Sequence, residues 1–191
     1  MHKQVAGFNR YLPEGGCFYI PLFLLLLLAA AAPAQVTPAA APGRSPVQAA
    51  AGQTPAKTVP AFRFATMDHR VFANTDLPGD KLLLFVFFDP DCEHCQHALQ
   101  SMDKDYKAFQ RAALYLVSMA SHDRINLFMA SYAPRLAAQK NVLLLMDETS
   151  QFIAQFKPIR YPSLYLYSTD QSLLDYEDNE ATLFRIEKYT R

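Results

Sequence analysis

Two thiols one helical turn apart, in Cys92-Glu93-His94-Cys95, follow directly on the apolar run Leu82-Leu83-Leu84-Phe85-Val86-Phe87-Phe88. Such a run reads as a strand buried on both faces, and the polar segment after the first cysteine reads as a helix. A strand that ends in a dithiol opening a helix constrains the fold to one in which backbone N–H groups and the helix dipole face a sulfur, which favours thiolate. Residues three apart share one helix face, so the two sulfurs can close a small ring. Cys92 is therefore the expected nucleophile. Cys95, one turn deeper, is the expected resolving thiol, placed to attack a mixed disulfide formed through Cys92. His94 can lower the Cys92 pKa, whereas Glu93 and Asp91 act in the opposite sense. Residue types alone leave the sign of the shift open.

The cysteine count matters because of the N-terminus. Lys3 and Arg10, an apolar run from Cys17 through Ala32, and small residues at Ala32-Pro33-Ala34 form the three parts of an export signal over residues 1–34. The run is shorter than the roughly 20 residues of a spanning helix and contains Pro21, so cleavage is expected, with membrane anchoring the outcome if the signal is retained. The expected location is periplasmic or otherwise extracytoplasmic. Cleavage would remove Cys17 and leave Cys92 and Cys95 as the only cysteines, too few for a disulfide framework. Closing so short a loop also constrains the unfolded chain little. The pair is there for exchange or for a metal.

With 18 basic and 18 acidic residues the formal net charge is zero, which argues against nucleic acid as a partner. Residues 35–60 are rich in Ala and Pro and poor in large apolar residues, a composition that predicts a disordered linker. A single domain over 61–191 follows. Its expected elements are a strand at 61–65, the strand at 81–88, a helix at 93–111, a strand at 113–119, a helix at 124–138, a strand at 142–146 and a helix at 148–156. Strands at 163–167 and 172–176 and a helix at 180–189 complete it. Alternating strands and helices predict a largely parallel sheet with a hairpin at one edge.

From residue 60 onward the chain resembles the thioredoxin superfamily, and within it the exported TlpA/ResA-like thiol-disulfide oxidoreductases. The resemblance rests on the strand-to-helix CxxC, on the lead-in from Phe62 to Asp80, and on Tyr161-Pro162 opening a late strand. It implies an α/β thioredoxin-like fold with a central mixed sheet flanked by helices, and enzymatic disulfide exchange needing no cofactor. It also implies a cis peptide before Pro162, with Tyr161 offering its backbone to an extended client in a shallow apolar groove. The partners implied are exported client proteins with cysteines and a membrane thiol carrier as electron donor, which makes a reductase the expected role. The chain departs from the family in lacking Trp before the first cysteine and in having Val86 where the family has a buried acid. Asp89, Glu93 or water would then serve Cys95 as proton acceptor. A peroxidase of the peroxiredoxin type would carry Thr at the position of Asp89.

Zinc would need two more ligands than the CxxC supplies, and no metal ligand set is expected. A copper metallochaperone using the dithiol with His94 or His97, and a non-catalytic protein that keeps only the fold, are the alternatives. His69 and His122 read as surface histidines, and Tyr165 and Tyr167 as sheet-face core.

Overall fold

The computed structural model describes residues 53–182 and 184–190. The expected export signal and most of the expected linker lie outside the described residues. Seven strands form one mixed sheet: β1 (Arg63–Thr66), β2 (Val71–Ala73), β3 (Leu82–Phe87), β4 (Ala112–Ser118), β5 (Val142–Met146), β6 (Ser163–Tyr167) and β7 (Leu173–Glu177). Their spatial order is β2-β1-β5-β4-β3-β6-β7. Only the β3–β4 and β4–β5 pairs are parallel, and the other four are antiparallel. The largely parallel sheet expected from alternation is thereby corrected. Alternation held only through the middle of the chain, and the short hairpin β1–β2 and the edge hairpin β6–β7 contribute antiparallel pairs.

The apolar run of β3 divides by strand periodicity. Leu84, Val86 and Phe88 enter one core with Cys95, Leu99, Ile125, Phe128 and Ile186. Leu83, Phe85 and Phe87 enter the other with Phe64, Phe152, Phe156, Tyr165 and Tyr167. The first core is covered by α1 (Glu93–Lys104), α2 (His122–Tyr132), α3 (Pro134–Ala137) and α5 (Phe184–Thr190), and the second by α4 (Gln151–Phe156). The second is a connected aromatic cluster. Phe152 stacks on Phe156 at 4.0 Å and on Phe87 at 4.4 Å between ring centroids.

Several boundaries differ from the sequence reading for local reasons. The single helix expected at 124–138 is two, because Pro134 has no N–H to donate and disfavours helical geometry in the residue before it. Ala133 accordingly has φ −145° and ψ 50°. The helix expected to reach 111 stops at Lys104, and a 3-10 turn at Tyr106–Phe109 brings Ala108 and Phe109 into the core. The closing helix is likewise divided into a 3-10 turn at Glu180–Thr182 and α5. Strand β2 was not anticipated; three residues are too few for a periodic signal.

The expected linker boundary at residue 60 also moves. Ala56 N–H donates to Phe156 O at 3.0 Å, Val59 N–H to Gln171 O at 3.0 Å, and Leu173 N–H to Lys57 O at 2.8 Å. Residues 57–59 thus border the start of β7 and Ala56 the end of α4, where backbone pairing supplies what their side chains lack.

Helix α4 starts three residues later than expected because Asp147, 2% exposed, caps it: Oδ1 accepts from Gln151 N–H at 2.9 Å and Oδ2 from Phe152 N–H at 2.7 Å. Asp147→Ala leaves both donors unserved, and a loss of about 2–3 kcal/mol is expected. The measurement is the urea midpoint, which should fall with the slope unchanged.

Candidate functional site

Strand β3 delivers the chain to a turn in which Cys92 N–H donates to Asp89 O at 3.0 Å. Cys92 is then the N-cap of α1, with extended φ −87° and ψ 115°, and its carbonyl receives the N–H groups of Cys95 (3.0 Å) and Gln96 (3.1 Å). Both cysteines are free thiols, Cys92 half-buried and Cys95 buried. The two expected roles therefore fall on sulfurs of different accessibility.

The second half of the site comes from 69 residues further along. Strand β6 runs antiparallel to β3 with Phe87 opposite Ser163, so the residues just before β6 lie beside those just after β3. The Tyr161–Pro162 peptide is cis, and the Tyr161 carbonyl lies 4.0 Å from Cys92 Sγ. Tyr161's ring packs on Phe87 at 4.8 Å, so its main chain is the part turned to the dithiol. Tyr176 braces this loop from β7. Its hydroxyl accepts from Ile159 N–H at 3.0 Å and lies 3.0 Å from Ser163 Oγ, which donates to Arg160 O at 2.6 Å.

The electrostatics separate the thiols. Cys92 is pushed down to about 6, first by a hydrogen bond from the Cys95 thiol and further by backbone N–H groups of Cys95 and His94 and by the charge of His94, against the opposing effect of burial. Cys95 is pushed far above the ordinary thiol range, chiefly by burial, then by its bond to Cys92, with the Asp89 charge adding to the effect. His94 thus acts as expected, more weakly than Cys95. Asp91 was expected to oppose it, but its carboxylate is paired with Arg124, and Glu93 is exposed. Asp89 is the carboxylate whose charge bears on Cys95, and the acid position of the family, Val86, is buried in the same apolar cluster as Cys95.

The groove expected beside Pro162 carries charged groups as well as apolar surface. A cleft of about 220 Å³ lies there, lined by His94, Arg160, Tyr161, Asp178 and Asn179. The more apolar lining belongs to a different cleft of about 270 Å³ bordering Asp91 and Gln96, where Leu127, Phe128 and Tyr132 of α2 contribute. Arg160 and Asp178 had no sequence signal beyond the adjacency of Arg160 to Tyr161, because their meeting depends on how the β6–β7 hairpin folds back. His69 and His122, read separately as surface residues, face each other at 6.1 Å between ring centroids. Among the described residues no group of three or more His, Cys, Asp and Glu is placed to hold a metal ion, and none of their helices is long and apolar enough to cross a membrane.

Comparison with known proteins bears on the family and the fold. The AhpC/TSA family profile matches residues 55–175. Among solved structures, the thioredoxin domain of a thiol-disulfide oxidoreductase from Bacteroides vulgatus is similar with a TM-score of 0.57 at 17% identity, covering 72% of this chain and 99% of that one. A secreted Mycobacterium tuberculosis disulfide oxidoreductase, described as homologous to E. coli DsbE, gives 0.54 at 18% identity, covering 67% and 95%. BsSco, described as a Sco-family cytochrome c oxidase assembly protein with a disulfide switch, gives 0.53 at 19% identity, covering 72% and 96%. No curated protein sequence matches the chain.

Proposed function

This chain belongs to the AhpC/TSA family, within the thioredoxin superfamily, and from that premise we propose that it exchanges disulfides with exported client proteins through Cys92 and Cys95, working as a reductase. One observation carries the reading: a Cys92 thiol lowered to about 6, 4.0 Å from the Tyr161 carbonyl. The Cys92 thiolate attacks a client disulfide. The client S–S bond breaks as the Cys92–client bond forms, and the departing client thiolate takes a proton. Cys95 then loses its proton toward Asp89 and attacks the Cys92 sulfur, which frees the second client thiol and leaves a Cys92–Cys95 disulfide. A membrane thiol carrier restores the dithiol. A peroxidase role is less well supported, because position 89 offers a carboxylate that accepts from Asp91 N–H at 2.9 Å rather than a hydroxyl donor.

The thiolate supports this direction. A pKa of about 6 is near thioredoxin's value of about 7 and far from about 3.5 in DsbA, the strong oxidant. A lower pKa stabilises the reduced form and makes a stronger oxidant, so a value nearer thioredoxin's than DsbA's fits a reductant. The test is the reduction potential of residues 35–191, equilibrated in glutathione or dithiothreitol buffers as a function of pH. A value near −270 mV supports a reductase and one near −120 mV an oxidase. Two protons accompany reduction below the Cys92 pKa and one above it. The potential should therefore fall by about 59 mV per pH unit below pH 6 and about 30 mV above. Tight copper(I) binding without exchange would replace this reading with metal transfer, and function surviving loss of both cysteines would replace it with binding alone.

A further inference from the structure

The cleft on the His94 side of the dithiol is small, charged and built from three separate parts of the chain. Arg160 precedes the Tyr161–Pro162 peptide, His94 lies in the first turn of α1, and Asp178 and Asn179 follow β7. The balance of its groups is uneven. Its one carboxylate, on Asp178, is only 20% exposed and is engaged by Arg160 Nε at 3.4 Å, while the Arg160 side chain is 64% exposed. Asn179 commits its Oδ1 to Ala181 N–H at 2.9 Å, which leaves its –NH₂ as the end able to serve a ligand. His94 is exposed at the rim. A guanidinium, an amide –NH₂ and an imidazole around one carboxylate already held form a site that selects an anion, and a guanidinium recognises a carboxylate with directed hydrogen bonds.

Resting on the exchange reading above, we propose that this cleft takes a carboxylate side chain adjacent to the reactive cysteine of the client, so that the protein selects clients by an Asp or Glu beside the disulfide. Tyr161 fixes the geometry, because its carbonyl is at the Cys92 sulfur and its neighbour Arg160 is in the cleft. A client strand running along the Tyr161 main chain with its cysteine at Cys92 therefore places a neighbouring side chain at Arg160. The Asp178–Arg160 pair adds a restraint of its own: Asp178 repels the anion at short range, so the selectivity is set by the difference between the two charges.

The test uses the Cys95→Ser protein and a set of amidated peptides that differ only in the residue next to a single cysteine, Asp, Asn or Lys, with that cysteine blocked as a 2-pyridyl disulfide. The Cys92 thiolate attacks the peptide sulfur, the bond to the pyridyl sulfur breaks, the Cys92–peptide disulfide forms, and pyridine-2-thiolate leaves and is protonated to the coloured thione. The Asp peptide is expected to react about tenfold faster than the Lys peptide in low salt, with the ratio shrinking as salt rises. Arg160→Gln should bring the ratio close to one, Arg160→Lys should restore part of it, and Asp178→Asn should enlarge it. Comparing this ratio between the unaltered and altered Arg160 or Asp178 proteins cancels the intrinsic reactivity of each peptide. Equal rates for all three peptides, or a ratio unchanged in Arg160→Gln, would overturn the proposal while leaving exchange through Cys92 intact. A Lys peptide with a free C-terminal carboxylate reacting as fast as the Asp peptide would overturn the side-chain assignment in favour of chain ends. Reaction with none of the peptides would instead sink the exchange reading on which the proposal rests.

Discussion

Cys92→Ser will abolish disulfide exchange, by roughly three orders of magnitude or more, because it removes the attacking sulfur and Ser offers no comparable nucleophile. Cys95→Ser will behave differently: the first attack proceeds, the escape step is lost, and a mixed disulfide through Cys92 accumulates on a non-reducing gel. Accumulation in Cys92→Ser and not in Cys95→Ser would reverse the two roles. The same proteins carry a pH prediction. With the Cys92 pKa at about 6, roughly 90% of it is ionised at pH 7, against about 3% for an ordinary thiol of pKa about 8.5. Alkylation of the reduced protein by iodoacetamide should therefore rise tenfold per pH unit below 6 and level off above it. Because the first cause of the lowering is the hydrogen bond from Cys95, Cys95→Ala should move the midpoint upward. Cys95→Ser, which keeps a donor, should move it less. A midpoint above 8 in the unaltered protein would remove the basis for a thiolate nucleophile.

The largest structural loss is expected from Phe152→Ala. Phe152 is fully buried and lies between Phe87 at 4.4 Å and Phe156 at 4.0 Å, with Tyr165 edge-on at 5.7 Å. Truncation removes its transfer free energy and leaves a cavity that a strand and a capped helix can close only in part, which gives about 3–5 kcal/mol. For a domain of this size that is roughly 10–20 °C in Tm. The effect should reach the site, because Phe87 is also the ring on which Tyr161 packs at 4.8 Å. Slower mixed-disulfide formation in Phe152→Ala below its Tm, with the Cys92 alkylation midpoint unmoved, would show the Tyr161 support loosened. A Tm change under about 3 °C would show that the aromatic cluster repacks without cost.

These two experiments probe parts of the molecule that differed in how far they could be read in advance. The dithiol and its place between a buried strand and a helix were legible because each is local, consecutive residues with a fixed period, whereas the role of Tyr161-Pro162 was legible only through the family resemblance. The split of the helix at Pro134 was equally local in cause and could have been read from the proline. The pairing directions of the outer strands could not, since they depend on which edges meet.

The sequence by itself determined where the two sulfurs sit and that they share a helix turn, because a short-range pattern of apolar and polar residues sets strand, turn and helix. Only the tertiary structure decided their chemistry. Pairing of Phe87 with Ser163 carries Tyr161 to Cys92 across 69 residues. The hydrogen bond from the Cys95 thiol lowers the Cys92 pKa, a shift whose sign the residue types left open. The return of the β6–β7 hairpin puts Asp178 against Arg160 and brings charge into the cleft beside Pro162. Charge and solvation act through space, and the distances that govern them exist only once the chain has closed on itself.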